Sequence, residues 1–237
     1  MNILFISKNK HWCNLITNKF EGIENIKISH SNILDIPKEN HIFVTPSNSL
    51  VRMEGGIDLI MSRKIFPGIH KKVDKIVKKL GIMTLKGQHS LPVGSSLYVE
   101  HPDILNSGLI VSPTMFCSSN VSHTQNAYIS FLSSLILFNK LKGINENWED
   151  KILVVTSHCC GNGNMSEEES VNQFYKAYQD FQNQNYPKEI EINEIEGIER
   201  DSLCLLPYEE EEITYEIDEN DIKTIKIMSQ YTIKNEE

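Results

Sequence analysis

Two turns hold most of the side chains that could do chemistry. The first follows the apolar run 41–45 and contains Pro46, Ser47, Asn48, Ser49, Leu50, Val51, Arg52, Met53, Glu54, Gly55, Gly56, Ile57 and Asp58, after which a helical pattern begins. The second follows the run 152–157 and contains His158, Cys159, Cys160, Gly161, Asn162, Gly163, Asn164 and Met165, again before a helical pattern. Glycines at such a turn let backbone N–H groups converge on an anion, and the helix that follows adds its positive dipole end. Two turns of this kind suit a diphosphate, which needs donors from both sides. Neither turn contains GK followed by Ser or Thr, and neither is GxGxxG, so ATP hydrolysis and the usual dinucleotide fold are disfavoured.

Single residues in these turns carry two readings each. Asn48 either ties down its own loop, as Asn-Ser readily does, or offers its amide to a ligand. Asp58 is either a first-turn carboxylate, favourable at a helix start, or an acid–base group. The run His158, Cys159 and Cys160 could suggest a metal site or a nucleophile, but a metal needs further ligands, and His123 is the one tempting partner. Structural loop residues are the simpler reading, and no metal is expected.

The elements that must position these turns follow from hydrophobic periodicity. Strands are expected at 2–7, 25–29, 41–45, 95–100, 109–112 and 152–157. Helices are expected at 11–20, at 57–66 and 69–80 with a break at Pro67-Gly68, at 121–141, and at 166–181. Ser166 with Glu169 has capping-box spacing. Alternating strands and helices predict an α/β architecture: three layers, with a largely parallel or mixed sheet covered by helices on both faces. Ligands in such sheets bind beyond the carboxyl ends of the strands, where both turns fall. The lysines of the 69–80 helix form a solvated face more simply than a polyanion site. No internal repeat is visible.

Composition limits the class. With 237 residues, 40% hydrophobic and 23% charged, the chain fits one large domain or one domain plus an appendage. The most apolar stretch, FLSSLILF, is too short to span a bilayer, so no membrane association is expected. The first residues place an apolar run before lysines, the reverse of a signal peptide, and predict a cytoplasmic location. Five cysteines without a CxxC pair indicate neither a disulfide framework nor a zinc ribbon. The net charge of −9 is uneven: residues 184–237 hold 16 Asp and Glu against 5 Lys and Arg, leaving 16 against 18 for residues 1–183. This shift predicts a domain at 1–183 and an acidic extension at 184–237, with the junction near 183–187. Alternation of Ile213, Tyr215 and Ile217, then Ile222, Ile225 and Ile227, predicts a β-hairpin turning at 218–221. The acidic run 209–212 is a solvated loop or a contact for a basic partner. Oligomeric state is not encoded in any of these features.

The stretch HIFVTPSNSLVRMEGGIDLIMSR resembles the first ligand loop of macro domains, and is most similar to a phage and bacterial subgroup with SPANS followed by MDGGID. Three further segments resemble the same subgroup in order, HSLPVGSSLYVE, GLIVSPTM and CCGNGNMS, and HSNILD, before the first loop, resembles the turn in which macro domains usually place an aspartate for the adenine. The resemblance covers about residues 1–183 and implies a mixed sheet between helices with ADP-ribose as ligand, needing no cofactor. It assigns Asn32 and Ile33 to the adenine turn, and Asn48 to the distal ribose and, in hydrolases, to turnover. Gly55, Gly56 and Ile57 fall to the first loop, and Asp58 to the scissile bond. Cys160, Gly161, Asn162 and Gly163 fall to the second loop. Four features depart from the pattern: Asn32 stands where aspartate is usual, Thr45 replaces the motif's first asparagine, Glu54 replaces a glycine, and residues 158–160 are bulkier. The implied function is binding of ADP-ribose, or of an ADP-ribosylated protein or nucleic acid, with hydrolysis at the distal ribose. The alternative is a non-catalytic reader, or an accessory protein that binds a partner through its acidic tail.

Overall fold

The computed structural model describes residues 1–84, 86–101, 104, 107–144 and 148–186, together with the backbone of four short strands beyond them. In chain order the elements are β1 (Asn2–Ser7), α1 (Lys10–Lys19), β2 (Ile26–His30), β3 (His41–Asn48), α2 (Gly56–Ile60), α3 (Ile69–Leu80), β4 (Ser96–Glu100) and β5 (Gly108–Met115). They continue as α4 (Asn126–Ile144), β6 (Ile152–Val155), α5 (Glu167–Gln182), β7 (Ile192–Asn193), β8 (Ser202–Leu205), β9 (Glu210–Glu216) and β10 (Ile222–Met228).

Local chemistry explains where the helices begin. Asn9 caps α1 by accepting from the N–H groups of His11 and Trp12 at 2.9 and 3.2 Å. For α3, Gly68 and Gly81 flank the helix with φ of 86° and 72°, a backbone region in which other residues are strained. Ser166 caps α5 by accepting from the N–H of Glu169 at 3.1 Å. The reciprocal half of the expected capping box is replaced: Glu169 Oε1 accepts from Gln173 Nε2 at 2.8 Å instead.

Strand order is β2-β1-β6-β3-β5-β4-β8-β7, and β2, β1, β6, β3 and β5 run parallel while β4 is antiparallel to β5. One face packs α1, α4 and α5 around Phe5, Trp12, Phe131 and Phe174. The other packs α2 and α3 around Phe43, Phe66, Val73 and Leu97. The molecule is therefore the expected three-layer α/β arrangement with a mixed sheet. Because the five parallel strands share one direction, their carboxyl ends lie at one end of the sheet.

Several boundaries differ from the sequence expectation. β3 and β5 run three residues further than expected, through Pro46 and Pro113. Pro46 is tolerated because pairing between β3 and β6 stops at Phe43, leaving β3 bonded to β5 alone beyond it. The 57–66 helix changes character midway: α2 passes into a π-helical turn at Met61–Ile65, closed by Phe66 N–H donating to Met61 O at 2.8 Å. α4 starts at Asn126 rather than near residue 121, since Val121 N–H is taken by Gly163 O at 2.9 Å. β7 and β8 were not expected; β8 pairs antiparallel with β4, Leu97 opposite Cys204. β9 and β10 pair antiparallel, with Ile225 opposite Ile213. The expected turn at 218–221, together with Glu209 and Ile217, lies outside the described residues.

Candidate functional site

A cleft of about 610 Å³ opens at the carboxyl ends of the parallel strands. All five strands of that group contribute: Asn32 follows β2, Lys8 follows β1, Thr156 follows β6, Asn48 ends β3 and Met115 ends β5.

Its first wall is the loop from β3 to α2. Buried hydrogen bonds fix its path: Ser49 N–H donates to Met115 O and Leu91 N–H to Ser49 O, both at 2.8 Å. Val51 and Met53 adopt left-handed backbone at φ of 48° and 47°, with side chains 5% and 2% exposed. A β-branched residue with positive φ is an outlier that the surrounding packing must enforce. Gly56, at φ 55°, completes the turn toward α2.

Two side chains on this wall have unusual environments. The Oδ1 of Asn48 is buried and has no hydrogen-bond partner among the described residues. Such an atom loses its water without replacement, an arrangement worth about 1–3 kcal/mol against the fold. Asp58 is 6% exposed. Its Oδ1 accepts from Thr45 Oγ1 at 2.5 Å. Burial pushes its carboxyl up from 3.8 to about 6, with the Thr45 hydrogen bond opposing the rise. At pH 7 Asp58 is an anion close to its protonation point, as a general base should be.

The second wall is the loop from β6 to α5. Cys159 and Asn164 take φ of 65° and 53°. Met165 N–H donates to Cys159 O at 3.1 Å, and Asn164 N–H to Gly161 O at 2.9 Å. Gly163 is required by packing: a Cβ there would lie 2.5 Å from Cys159 O and 2.8 Å from Val121 Cγ2. Gly161 faces open space.

Of the residues singled out in the sequence, Asn32, Ile33, Asn48, Gly55, Gly56, Ile57, Asp58, Gly161, Asn162 and Gly163 all line this one cleft. Cys160 is not among the lining residues: its thiol donates to His158 O at 3.3 Å and it packs partly buried against the larger core cluster, of which its neighbour Cys159, a lining residue, is a buried member. Asn32 has a second task, since its Oδ1 accepts from Leu34 N–H at 3.3 Å and caps a 3₁₀ turn at Ile33–Asp35. His158 is fully buried on the core side, with Nδ1 2.9 Å from Ser130 Oγ and its ring edge-on to Phe174 at 4.9 Å. Burial pushes its imidazole down to about 3, so it is neutral. No group of three or more His, Cys, Asp or Glu able to hold a metal occurs among the described residues.

Sequence reasoning missed Thr45 and Thr156. Thr45 stood out only as a departure from a motif, yet its hydroxyl holds Asp58. Thr156 lines the cleft, and its buried hydroxyl lacks a partner among the described residues. A threonine closing an otherwise apolar strand was the available signal. Lys8 and Arg52 add positive charge to the lining, and Glu54 adds negative charge.

No family model and no curated protein matches the sequence. Among solved structures, the chain is similar to the macrodomain of Mycobacterium tuberculosis DarG, with 18% identity, 64% of this chain and 88% of that one covered, and a TM-score of 0.48. It is also similar to a mutant Oceanobacillus iheyensis macrodomain with ADPR, at 13% identity, coverage of 65% and 90%, and a TM-score of 0.43. A third is Thermosipho africanus DarTG in complex with ADP-ribose, at 14% identity, coverage of 74% and 49%, and a TM-score of 0.45.

Proposed function

We propose that the cleft binds ADP-ribose, free or attached to a protein or nucleic acid, and hydrolyses the bond at the distal ribose. The observation that carries this reading is the pair of side chains on the first wall. Asn48 presents a buried acceptor with no partner among the described residues. Asp58, lining the same cleft, is a buried carboxylate raised to about 6. An acceptor without a partner is explained by a ligand that donates to it, and a ribose offers hydroxyl donors.

Size and shape support the same ligand class. Five neighbouring parallel strand ends span about 19 Å, enough for two nucleoside-sized halves joined by a diphosphate and more than a mononucleotide needs. The glycine turns stand on both sides of the cleft, as a diphosphate requires. In the sequence, five segments resemble macro-domain motifs in order.

Chemically, Asn48 would hold a distal-ribose hydroxyl and fix the anomeric carbon. Asp58 would take a proton from water as the water oxygen attacks that carbon. The bond to the carrier then breaks, the carrier leaves with the bonding electron pair and acquires a proton from solvent, and ADP-ribose departs with the new hydroxyl. Positioning and proton removal are the two contributions asked of the protein.

Calorimetry with ADP-ribose, AMP and NAD tests binding, and release of ADP-ribose from modified protein and modified DNA tests turnover. Saturable binding of ADP-ribose, with weaker binding of AMP, is expected. No binding of ADP-ribose would refute the ligand assignment. Binding without release from either carrier would leave the chain a reader.

A further inference from the structure

The cleft floor contains a second polar atom that the loops do not account for. Thr156 follows β6 directly, is 8% exposed, and lines the cleft. Its Oγ1 is buried and has no hydrogen-bond partner among the described residues. A threonine in a β region can often return its hydroxyl to nearby backbone, so leaving it unpaired under a cleft is a costly choice for the fold alone.

Strand register fixes what stands beside it. β3 and β6 pair in parallel with Ile42 opposite Leu153 and Phe43 opposite Val154. Pairing ends there; carried two residues further, one past the end of β6, the same register brings Thr156 level with Thr45. Residues two apart in a strand share a face, so Thr45 lies on the face of Phe43, which carries α2 and α3, and the extended path of the chain turns Thr156 to the same side. Thr45 spends its hydroxyl on Asp58. Thr156 has the neighbouring position and no such partner.

We infer that Thr156 is a ligand-positioning residue whose hydroxyl binds the distal ribose beside Asp58, on the opposite strand from Asn48. The inference rests on the ADP-ribose reading above. With Asn48 ending β3 and Thr156 just past β6, the ribose is held from two neighbouring strand ends, which restricts rotation about its phosphate link. Asp58 then meets one face of the sugar. A contact to the diphosphate is the competing arrangement, and the two differ in which ligands feel the hydroxyl's loss.

The test compares the wild-type chain with Thr156→Val, which keeps the shape and removes the hydroxyl, and Thr156→Ser, which keeps the hydroxyl. Thermal unfolding and calorimetry with ADP-ribose and ADP are measured for each. Thr156→Val is expected to be at least as stable as wild type, to bind ADP-ribose about tenfold more weakly, and to bind ADP unchanged. Thr156→Ser is expected to restore most of the ADP-ribose affinity. Equal ADP-ribose affinity in wild type and Thr156→Val overturns the inference while leaving the ligand assignment intact. An equal loss for ADP moves the contact to the diphosphate and overturns it too. Loss of stability or failure to fold in Thr156→Val shows a structural hydroxyl and has the same consequence. A wild-type chain that takes up no ADP-ribose refutes the ligand assignment itself, and this inference with it.

Discussion

Asp58 should make the protein less stable as pH rises through the mildly acidic range, and Asp58→Asn should remove that dependence. In the folded chain its carboxyl is raised from 3.8 to about 6, because burial disfavours the charged form more than the Thr45 hydrogen bond favours it. Between these two values the folded state holds a proton that the unfolded state has lost. Stability from this group is therefore fully present below about 3.8 and is lost as pH rises through about 6. The difference corresponds to about 3 kcal/mol at pH 7. Side effects of the asparagine, such as an amide N–H₂ facing the cleft, do not depend on pH. The informative quantity is thus the stability of Asp58→Asn minus that of wild type, measured at pH 4 and at pH 7. Urea unfolding followed by the fluorescence of buried Trp12 and Trp148 provides it. That difference should grow in favour of the variant by about 2 kcal/mol between the two pH values, since the unfolded carboxyl is already more than half ionised at pH 4. A difference independent of pH would show that Asp58 titrates normally, and would remove the physical basis for its role as a base near neutrality.

The same carboxyl should govern turnover, so release of ADP-ribose should rise with pH through about 6 and then level, as a pH–rate profile will reveal. Asn48→Ala and Asp58→Ala should each lower release by about 100-fold or more while changing ADP-ribose affinity far less, measured by single-turnover kinetics beside calorimetry. Gly161→Val places bulk in open space at the cleft and should block ADP-ribose without altering the melting temperature. Gly163→Ala should instead lower stability by about 1–3 kcal/mol, since its Cβ meets the Cys159 carbonyl. A chain ending at Asn183 should stay folded but melt earlier, because β4 loses its pairing with β8, and its net charge should change from −9 to about +2. Absence of a cooperative thermal transition would instead assign residues 184–237 to the core.

Much of the fold was legible because local rules agreed with the tertiary outcome. α3 begins and ends where expected, since Gly68 and Gly81 supply the left-handed residues that bound it. The strand ends were less legible. A proline normally argues against a central strand, and nothing local reveals that β6 has already ended beside Pro46. The serines of the long apolar helix looked like interruptions. In the structure Ser133 and Ser134 face Ser96 and Ser112 of the sheet, with Ser96 Oγ to Ser133 Oγ and Ser112 Oγ to Ser134 Oγ both 2.8 Å, so the hydroxyls satisfy one another inside the core. For the site, glycines and Asn48 could be read from the order of motifs. The raised carboxyl of Asp58 could not, because it depends on burial that only the folded chain creates, set against a hydrogen bond from a threonine thirteen residues earlier.

These failures of local rules gather around the cleft. Asn25, Asn40 and Gln184 also take positive φ away from the two loops; asparagine tolerates that region, and Gln184 lies just past the end of α5. Val51, Met53 and Cys159 do not share that tolerance, and all three belong to the walls of the cleft. Strain of this kind costs on the order of 1–3 kcal/mol per residue. To it are added the unpartnered Asn48 Oδ1 and Thr156 Oγ1, and the buried Asp58. Away from the cleft, His158 has Ser130 for Nδ1 and Ser170 is bonded to His158 O at 2.9 Å, while Trp12 Nε1 and His158 Nε2 are also buried without a hydrogen-bond partner among the described residues. The chain satisfies its buried serines inside one core, and among the described residues it leaves an amide oxygen and a hydroxyl without partners beside the cleft, where a ligand can meet them. Ligand binding should accordingly stabilise this protein by more than the contacts of a preformed, already satisfied pocket would, because it also relieves costs present in the empty state.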